Sequence, residues 1–571
     1  MSGYESYFTD SSIIKYLCRY RASLAKKRNR KHLVYNLGGE RQQLPIEITQ
    51  VPEEEKKLFS LFPSRKHWKK LTEKQRVKNG VALNTLKKTE KILWITVSWY
   101  RRNQPDADFL AKQRDFFEEV RSFAYGQCDI PPPTIKPILK DAREKTCRPI
   151  AKYPLAARIA IAQANKYLTR CFDMVFQETS YAFRCPTTKS FERNAIKNHH
   201  SAVEQIIHLR RSRAVDLWVA ESDIAKFFDT ISHSILKVLI QKYKKKIDKL
   251  RKNPVDNRAI DLLHSYLKSY SFSKSVIVKN DDMHHFSDNG YKGFRYEWVE
   301  QKLVDNKYYK QPKRAILGVP QGGALSGLIA NIYLTKADEV MSKCDDKLLY
   351  VRYCDDMIII HKNKKKATEY MKSYNEVLRK LKLVAHIPVA VQTYGREHWK
   401  QKSKSPYKWG PHGIIPWVGF VGYEVNITGD VRVRRSSLRK EMKKQYDVVQ
   451  EALRAVRRKP RASKMKIQES VMNRLIQMSV GKVKLRNYSE SPGELCWLNG
   501  FRMLNDNEYT RIQMRRLDRC RNRLVSRMLR ELNVLDLPVQ EKPSRRRRAR
   551  IYYGKPFSYY YHAIEKPPVA K

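Results

Sequence analysis

Two short acidic segments contain the residue types that metal-dependent chemistry needs. Asp223 follows the apolar run 217–220, and Asp355 and Asp356 lie between two further apolar runs. A strand, two acids and another strand predict a hairpin with carboxylates at its tip. Apolar flanks bury such a hairpin, and unpaired carboxylates are costly there unless cations are close.

These carboxylates predict a site for two Mg²⁺ ions, with Mn²⁺ as a substitute. Mg²⁺ prefers oxygen ligands and is usually bound by one or two carboxylates together with substrate phosphates. Two ions about 4 Å apart can activate an attacking oxygen and stabilise a leaving group. Asp223, Asp355 and Asp356 are therefore the predicted catalytic and metal-binding residues.

A second acidic triplet gives a comparison within the chain. Cys344, Asp345 and Asp346 repeat the letters of the hairpin tip, but Lys343 and Lys347 flank them. No apolar strand precedes this triplet. We interpret it as a solvated turn.

The charge of the chain indicates a polyanionic partner. Its 571 residues carry a formal net charge of +57, whereas solubility alone needs a net charge of about 2 to 8. Nucleic acid fits because each neutralised phosphate releases condensed counterions. Aromatic residues make up 11% of the chain, which argues against a disordered basic tail.

Cysteine usage predicts a reducing, cytoplasmic location. The nine cysteines form no CxxC pair and no cluster with zinc spacing. The first residues lack a basic start followed by an apolar core, so we expect no signal peptide. No apolar run of about 18 residues occurs, so we expect no membrane span.

Hydrophobic periodicity predicts basic helical regions on both sides of a mixed region. Prolines at 131–133 mark the first boundary. From there to about residue 426, short apolar strands alternate with amphipathic helices, which favours an α+β domain. Helical spacing predicts helices over 53–59, 109–123, 260–267, 465–478 and 509–532.

Five segments, taken in order, resemble the motifs of reverse transcriptases. The resemblance spans roughly residues 135–435. The matching segments are Arg148-Pro149-Ile150 with Arg158 (fingers), DIAKFFDTISH at 223–233 (first aspartate), GVPQGGALS at 318–326 (G-x-P-Q-G-x-x-x-S), Tyr353-Cys354-Asp355-Asp356 (Y-x-D-D) and Phe420-Val421-Gly422-Tyr423 (primer grip).

The resemblance implies roles for the acidic residues. Asp223 and Asp355 would bind both metal ions, and Asp356 would support them. The backbone carbonyl of Ile224 would be a further ligand. No lysine stands where the family has its candidate general acid, so the proton donor to pyrophosphate stays unassigned.

The resemblance also implies a nucleotide pocket. Phe228 stands at the steric-gate position, where a bulky ring would exclude a ribose 2′-hydroxyl. Gln321 and Gly322 would shape the pocket wall, and Arg148 and Arg158 would hold the triphosphate by charge-assisted bonds.

Plainer interpretations of several residues remain open from their types alone. Phe228 fits a core aromatic, Gly318 and its neighbours fit a tight turn, and Arg158 fits a surface charge. Asp229 and His233 are interpreted as local helix caps.

The chain looks most like the unknown-group and abortive-infection-like reverse transcriptases, which are associated with bacterial anti-phage defence. Members of these groups often pair with a dedicated noncoding RNA. The stretch 429–434 resembles theirs. The predicted RNA contacts are Arg545, Arg546, Arg547, Arg548, Tyr552 and Tyr553; a disordered basic tail is the alternative.

Three other functions remain as alternatives. An RNA-dependent RNA polymerase would have similar carboxylates, but Phe228 and the Y-x-D-D segment favour deoxynucleotides. A non-catalytic RNA-binding scaffold would not need three intact acids. A retron- or intron-type enzyme would serve mobile-element replication. The expected partners are an RNA template, a DNA product, dNTPs, and a second copy or a partner protein.

The resemblance implies an α+β fold of the right-hand polymerase type, with an antiparallel palm sheet and basic helical extensions. A segment near 272–310 is interpreted as an insertion that binds a template or another subunit. The predicted domains are an N-terminal extension (1–130), fingers (131–215), palm (216–430), helical thumb (431–535) and basic, aromatic tail (536–571).

Overall fold

The computed structural model describes residues 3–35, 51–72, 85–185, 197–389, 395–413, 415–458, 463–479, 497–538 and 557–558. The chain divides into two units. Unit 1 consists of Met1–Ile13, Arg114–Val421 and Asn426–Gly429. Unit 2 consists of Ile14–Gln113, Gly422–Val425 and Asp430–Lys571.

The described residues form a mixed arrangement of helices and strands. The α-helices are α1 (Asp10–Tyr35), α2 (Glu53–Ser60), α3 (Thr85–Asn103), α4 (Asp108–Ala124), α5 (Leu155–Phe172), α6 (His199–Ser212), α7 (Phe227–Thr230), α8 (His233–Leu250), α9 (Asn257–Lys268), α10 (Met283–Ser287), α11 (Glu300–Asp305), α12 (Ser326–Met341), α13 (Lys364–Lys380), α14 (Arg396–Lys400), α15 (Arg435–Arg458), α16 (Lys464–Ser479), α17 (Trp497–Gly500) and α18 (Glu508–Asn533). The strands are β1 (Thr134–Asp141), β2 (Thr146–Lys152), β3 (Leu217–Ser222), β4 (Arg295–Tyr296), β5 (Leu349–Tyr353), β6 (Asp356–His361), β7 (Lys404–Trp409), β8 (Trp417–Phe420), β9 (Tyr423–Asn426) and β10 (Val431–Val433). Short 3₁₀ helices cover Tyr4–Tyr7, Arg65–His67, Asp173–Val175, Ile277–Asp281 and Pro312–Arg314, and Phe272–Val276 is a π-helical turn.

The central feature of unit 1 is a four-stranded sheet in the order β5-β6-β3-β7. All three pairings are antiparallel. β6 is buried along most of its length, with Ile358, Ile359 and Ile360 fully inaccessible. Such a strand reads as a continuous apolar run because helices or strands cover both of its faces; α13 packs against β3 and β6. The predicted antiparallel sheet around the acidic hairpin is therefore present.

A smaller sheet in unit 1 has the order β1-β2-β4. β1 and β2 form an antiparallel hairpin, and β4 pairs in parallel with β2. Phe272, Val276, Phe286 and Tyr296 pack in one buried cluster with Cys147 of β2. The segment near 272–310 thus extends and covers this hairpin.

Unit 2 has a helical core. Val449 of α15, Ile467 of α16 and Met528 of α18 are fully buried in one apolar cluster. β9 and β10 pair antiparallel, with Val431 opposite Val425. These helices bury one apolar stripe each and leave their basic faces exposed, which is the amphipathic pattern that the sequence predicts.

The helices expected from periodicity are confirmed within one or two residues of their ends. They correspond to α2, α4, α9, α16 and α18. Among the described residues, none of the helices has the length and apolar character required to cross a membrane. The predicted fingers, palm and thumb boundaries stay predictions.

Candidate active site

The acidic hairpin is formed by β5 and β6, with Tyr353 paired to Asp356 across a two-residue turn. Cys354, the first turn residue, has φ of 60°. A non-glycine residue in this left-handed region is strained, and such strain persists where the surroundings enforce it, often at functional sites. The turn places Asp355 half-buried and Asp356 exposed.

β3 brings Asp223 to the same edge of the sheet. Ser222, the last residue of β3, lies opposite Met357, which directly follows Asp356. The backbone of Asp223 is held on both sides: its N–H donates to Ser403 Oγ (3.0 Å) and its carbonyl accepts from the N–H of His386 (3.0 Å). Asp223 and the hairpin turn, 132 residues apart in sequence, are therefore neighbours.

The two acids influence each other electrostatically. Burial raises the pKa of Asp355, and the negative charge of Asp223 raises it further. Lys402 Nζ lies 3.4 Å from Asp223 Oδ2, and His386 Nε2 lies 3.8 Å from the same oxygen. Because burial lowers the pKa of His386, the exposed Lys402 is the main cation beside Asp223.

A pair of aspartates fits a Mg²⁺ site, since one or two carboxylates with substrate phosphates and water suffice. In the described part of the chain, no three His, Cys, Asp or Glu side chains converge tightly enough to hold a metal ion by themselves. Asp223 and Asp355 are the pair that could hold it. Ile224 is buried beside them and forms a β-bridge with Ala385.

A buried ion pair fixes the hairpin turn from behind. Arg352 donates to Asp338 through Nε (2.8 Å) and Nη2 (2.6 Å), and both side chains are fully inaccessible. Its Nη1 also donates to the carbonyl oxygen of Cys354 (2.8 Å), and its Nη2 to Ser180 Oγ (2.8 Å). The guanidinium thus ties the strained turn to α12.

Sequence reasoning missed this pair, although a signal was present. Arg352 stands inside the apolar run that precedes the hairpin tip, and Asp338 stands in a largely apolar helix. Buried charges are almost always paired, so one basic and one acidic residue in two apolar elements suggest each other as partners.

The loop at 318–321 is attached to the segment that follows Asp223. Gly318 has φ of 87°, and a Cβ there would lie 2.5 Å from Phe272 Cβ. Only glycine tolerates both conditions. The N–H of Gly318 donates to Ile231 O (2.8 Å), and the N–H of Val319 donates to Phe228 O (2.7 Å).

Asp229 and His233 are not local helix caps; that interpretation is wrong. Gln321 Nε2 donates to Asp229 Oδ1 (2.7 Å), and His233 Nε2 donates to Gly318 O (2.7 Å). Both side chains hold the 318–321 loop, about 90 residues away in sequence. Burial raises the pKa of Asp229 to about 6.

The comparison with protein families assigns this region. Residues 282–387 match the model described as "Reverse transcriptase (RNA-dependent DNA polymerase)". The match contains both the 318–326 loop and the 353–356 hairpin. The chain contains a reverse transcriptase domain. It is accordingly an RNA-directed DNA polymerase, a nucleotidyltransferase, and reverse transcriptase domains generally use divalent metal ions, typically Mg²⁺.

Searches beyond the family model gave weaker results. Curated protein sequences gave no significant match. Among solved structures, apo telomerase from Candida tropicalis is 13% identical, with 92% of each chain covered and a TM-score of 0.35. Telomerase from Candida albicans in complex with a TWJ fragment of telomeric RNA is 10% identical, covers 90% of this chain and 82% of that chain, and has a TM-score of 0.33. TM-scores this low do not establish a shared fold.

The remaining nucleotide-pocket predictions lie on neighbouring elements of the reverse transcriptase. Phe228 is half-buried, with its ring edge-on to Phe227 at 5.1 Å. Arg148 lies exposed on β2, close enough to Asp229 to lower its pKa. Arg158 lies half-buried in the first turn of α5. These roles stay predictions.

The predicted primer grip of the reverse transcriptase is a turn. Phe420 ends β8, Val421 and Gly422 have φ of 38° and 91°, and Tyr423 begins β9. The boundary between the units falls after Val421. The predicted RNA contacts Arg545 to Arg548, Tyr552 and Tyr553 lie outside the described residues.

Proposed function

We propose that the chain copies RNA into DNA by two-metal nucleotidyl transfer centred on Asp223 and Asp355. One observation carries the proposal: β3 pairs with β6 in the register that sets Asp223 at the edge where the Asp355 turn lies. Two acids that repel each other at one point of a sheet edge suit a cation between them.

The chain's own residues would then position the reactants. Asp223 and Asp355 would bind both Mg²⁺ ions, with the carbonyl of Ile224 as a further ligand and Asp356 in support. The bound ions would supply activation of the primer 3′-hydroxyl and neutralisation of the leaving pyrophosphate. Lys402 would leave Asp223 on metal binding, since an exposed ion pair is weak.

The nucleotide would lie against the loop that Asp229 and His233 hold. Gln321 and Gly322 would form one wall, and Phe228 would exclude a ribose 2′-hydroxyl. Arg148 and Arg158 would contact the triphosphate. The support for this arrangement is the direct bonding of the 318–321 loop to the segment that follows Asp223.

The biological role we propose is bacterial anti-phage defence with a dedicated noncoding RNA as template, acting in the cytoplasm. The net charge of +57 supports a large RNA partner. Arg545 to Arg548, with Tyr552 and Tyr553, would contact that RNA, and Phe420 to Tyr423 would grip the primer. A second copy or a partner protein would complete the assembly.

DNA synthesis by the purified chain tests the enzymatic proposal. With an RNA template, a DNA primer, dNTPs and Mg²⁺, Asp355→Asn should reduce the rate at least about a thousandfold, the effect of losing several kcal/mol of charge stabilisation. Asp346→Asn is the matched control, since it changes the same residue type in the solvated turn. Comparable rates for Asp355→Asn and the wild type would overturn the proposal.

Sequencing the nucleic acid that copurifies with the chain tests the partner. One recurrent RNA together with complementary DNA is expected. An assortment of host RNAs, with no DNA complementary to any of them, would contradict a dedicated template.

A further inference from the structure

One carboxylate oxygen in unit 1 lies between two lysines. Glu297 Oε2 is 2.7 Å from Lys140 Nζ and 3.1 Å from Lys226 Nζ. The two ammonium groups are therefore no more than 5.8 Å apart, the sum of these distances. At that separation they repel each other unless an anionic oxygen lies between them.

The three side chains come from three segments that only the tertiary fold brings together. Lys140 lies near the end of β1, Lys226 immediately precedes α7, and Glu297 directly follows β4. Lys226 has φ of 51°, in the left-handed region. A strained backbone that aims a lysine at this point is held by its surroundings, as at many ligand-binding sites.

Glu297 is the most accessible member of the cluster. Its side chain is 48% exposed, compared with 32% for Lys140 and 17% for Lys226. Its bond to Lys140, together with the charge of Lys226, lowers its pKa to about 2. The two lysines are thus held by the fold, whereas the carboxylate faces solvent and is ionised at neutral pH.

The cluster adjoins the predicted nucleotide pocket. Asp229, three residues after Lys226, bonds Gln321, and its pKa is lowered by the charges of Lys226, Lys140 and Arg148. Three cations thus lie around one buried acid and one exposed carboxylate. This arrangement suits an anion with several oxygens, each able to accept charge-assisted hydrogen bonds.

We propose that Lys140 and Lys226 bind the triphosphate of the incoming dNTP, and that Glu297 occupies their subsite until the nucleotide displaces it. This inference rests on the proposed function, whose nucleotide it places. Glu297 Oε2 stands in for a phosphate oxygen. Displacement is easy because an exposed ion pair contributes only about 0.2–1 kcal/mol, whereas a triphosphate brings more negative charge to the same two lysines.

Nucleotide binding by the full chain, measured by calorimetry with dATP and with inorganic tripolyphosphate, tests the proposal. Glu297→Gln removes the competing charge, so both ligands should bind about two- to fivefold more tightly. Lys140→Met and Lys226→Met should weaken both. Glu300→Gln is the matched control, because Glu300 is the next acid in the chain and pairs with Lys313 at 3.6 Å; it should leave both affinities unchanged.

Deoxyadenosine, which lacks phosphates, should bind Glu297→Gln and the wild type equally. Unchanged or weaker tripolyphosphate binding by Glu297→Gln would overturn the proposal, as would an equal gain for deoxyadenosine. Lys140→Met, on an exposed hairpin, gives an independent test if Glu297→Gln does not fold. Loss of the polymerase proposal is detected separately: Asp355→Asn decides DNA synthesis, whereas tripolyphosphate binding needs no synthesis.

Discussion

Arg352 and Asp338 form a fully buried, bidentate ion pair directly behind the catalytic turn. Two parallel N–H···O bonds of 2.8 and 2.6 Å join them, and a third bond from Arg352 reaches the carbonyl oxygen of Cys354. The residue after Cys354 is Asp355. The pair therefore controls the position of a proposed metal ligand without contacting the reactants.

Substitution of Arg352 should separate positioning from stability. Arg352→Lys keeps the charge but loses the planar fork, so kcat should fall at least about tenfold with little change in the KM for dNTP. Arg352→Met leaves Asp338 buried and unpaired, which should cost about 3–5 kcal/mol and lower the thermal midpoint. Arg379→Lys, at an exposed position on α13, is the control. A thermal midpoint and kcat that fall in parallel in Arg352→Lys would indicate a purely structural role.

Phe228→Ala should relax the choice of sugar. If its ring blocks a ribose 2′-hydroxyl, removing the ring should raise incorporation of NTPs relative to dNTPs about tenfold or more. Phe228→Tyr keeps the bulk and should retain discrimination. The ratio of kcat/KM for dATP and ATP measures the effect, and an unaltered ratio in Phe228→Ala would assign Phe228 to the core alone.

Asp229 should make stability depend on pH. Burial raises the pKa of its carboxyl from 3.8 to about 6, so the folded chain binds this proton more tightly than the unfolded chain. The contribution of Asp229 to stability then falls as pH rises from 3.8 to about 6. Asp229→Asn removes a penalty of up to about 3 kcal/mol at neutral pH and keeps an acceptor for Gln321.

Thermal midpoints of Asp229→Asn and the wild type at pH 5.0 and 7.5 measure this dependence. The variant should gain more, relative to the wild type, at the higher pH. An equal difference at both pH values would mean that the carboxyl has an ordinary pKa.

An arginine stripe on α18 should bind nucleic acid. Arg516, Arg519 and Arg523 are exposed at positions i, i+3 and i+7, so they share one face of the helix. Changing all three to alanine should weaken RNA binding and lower the slope of log K against log salt by up to about 2, at about 0.7 for each phosphate contact.

Lysines 242, 245 and 249 of α8 provide the matched control for the stripe, because the sequence indicates a solvated face there. Their triple alanine variant should change neither affinity nor slope. Equal effects of the two triple variants would mean that only total charge matters.

Much of the catalytic hairpin could be predicted because its signal is local. Apolar runs on both sides of Asp355 and Asp356 distinguish a buried hairpin from the lysine-flanked turn at Asp345 and Asp346, and the structure has a turn there. Whether a short segment is buried depends largely on its own residues. The same locality explains why the amphipathic helices were found nearly to their ends.

The polar partners were not predictable, because each joins distant segments. Gln321 bonds Asp229 across 92 residues, and Glu297 bonds Lys140 across 157. For Asp229 the local pattern favoured a helix cap, which was wrong. Several acids and bases compete for each partner in a chain this charged, and side-chain types alone do not rank them.

The sequence by itself determined the chemistry of this protein: acidic residues at a strand edge, a glycine-dependent loop and a strongly basic charge. Only the tertiary structure decided which side chains meet, including the ion pair behind the turn and the carboxylate between two lysines. The physical reason is that burial follows from local residue patterns, whereas pairing follows from strand register and the path of the chain between segments.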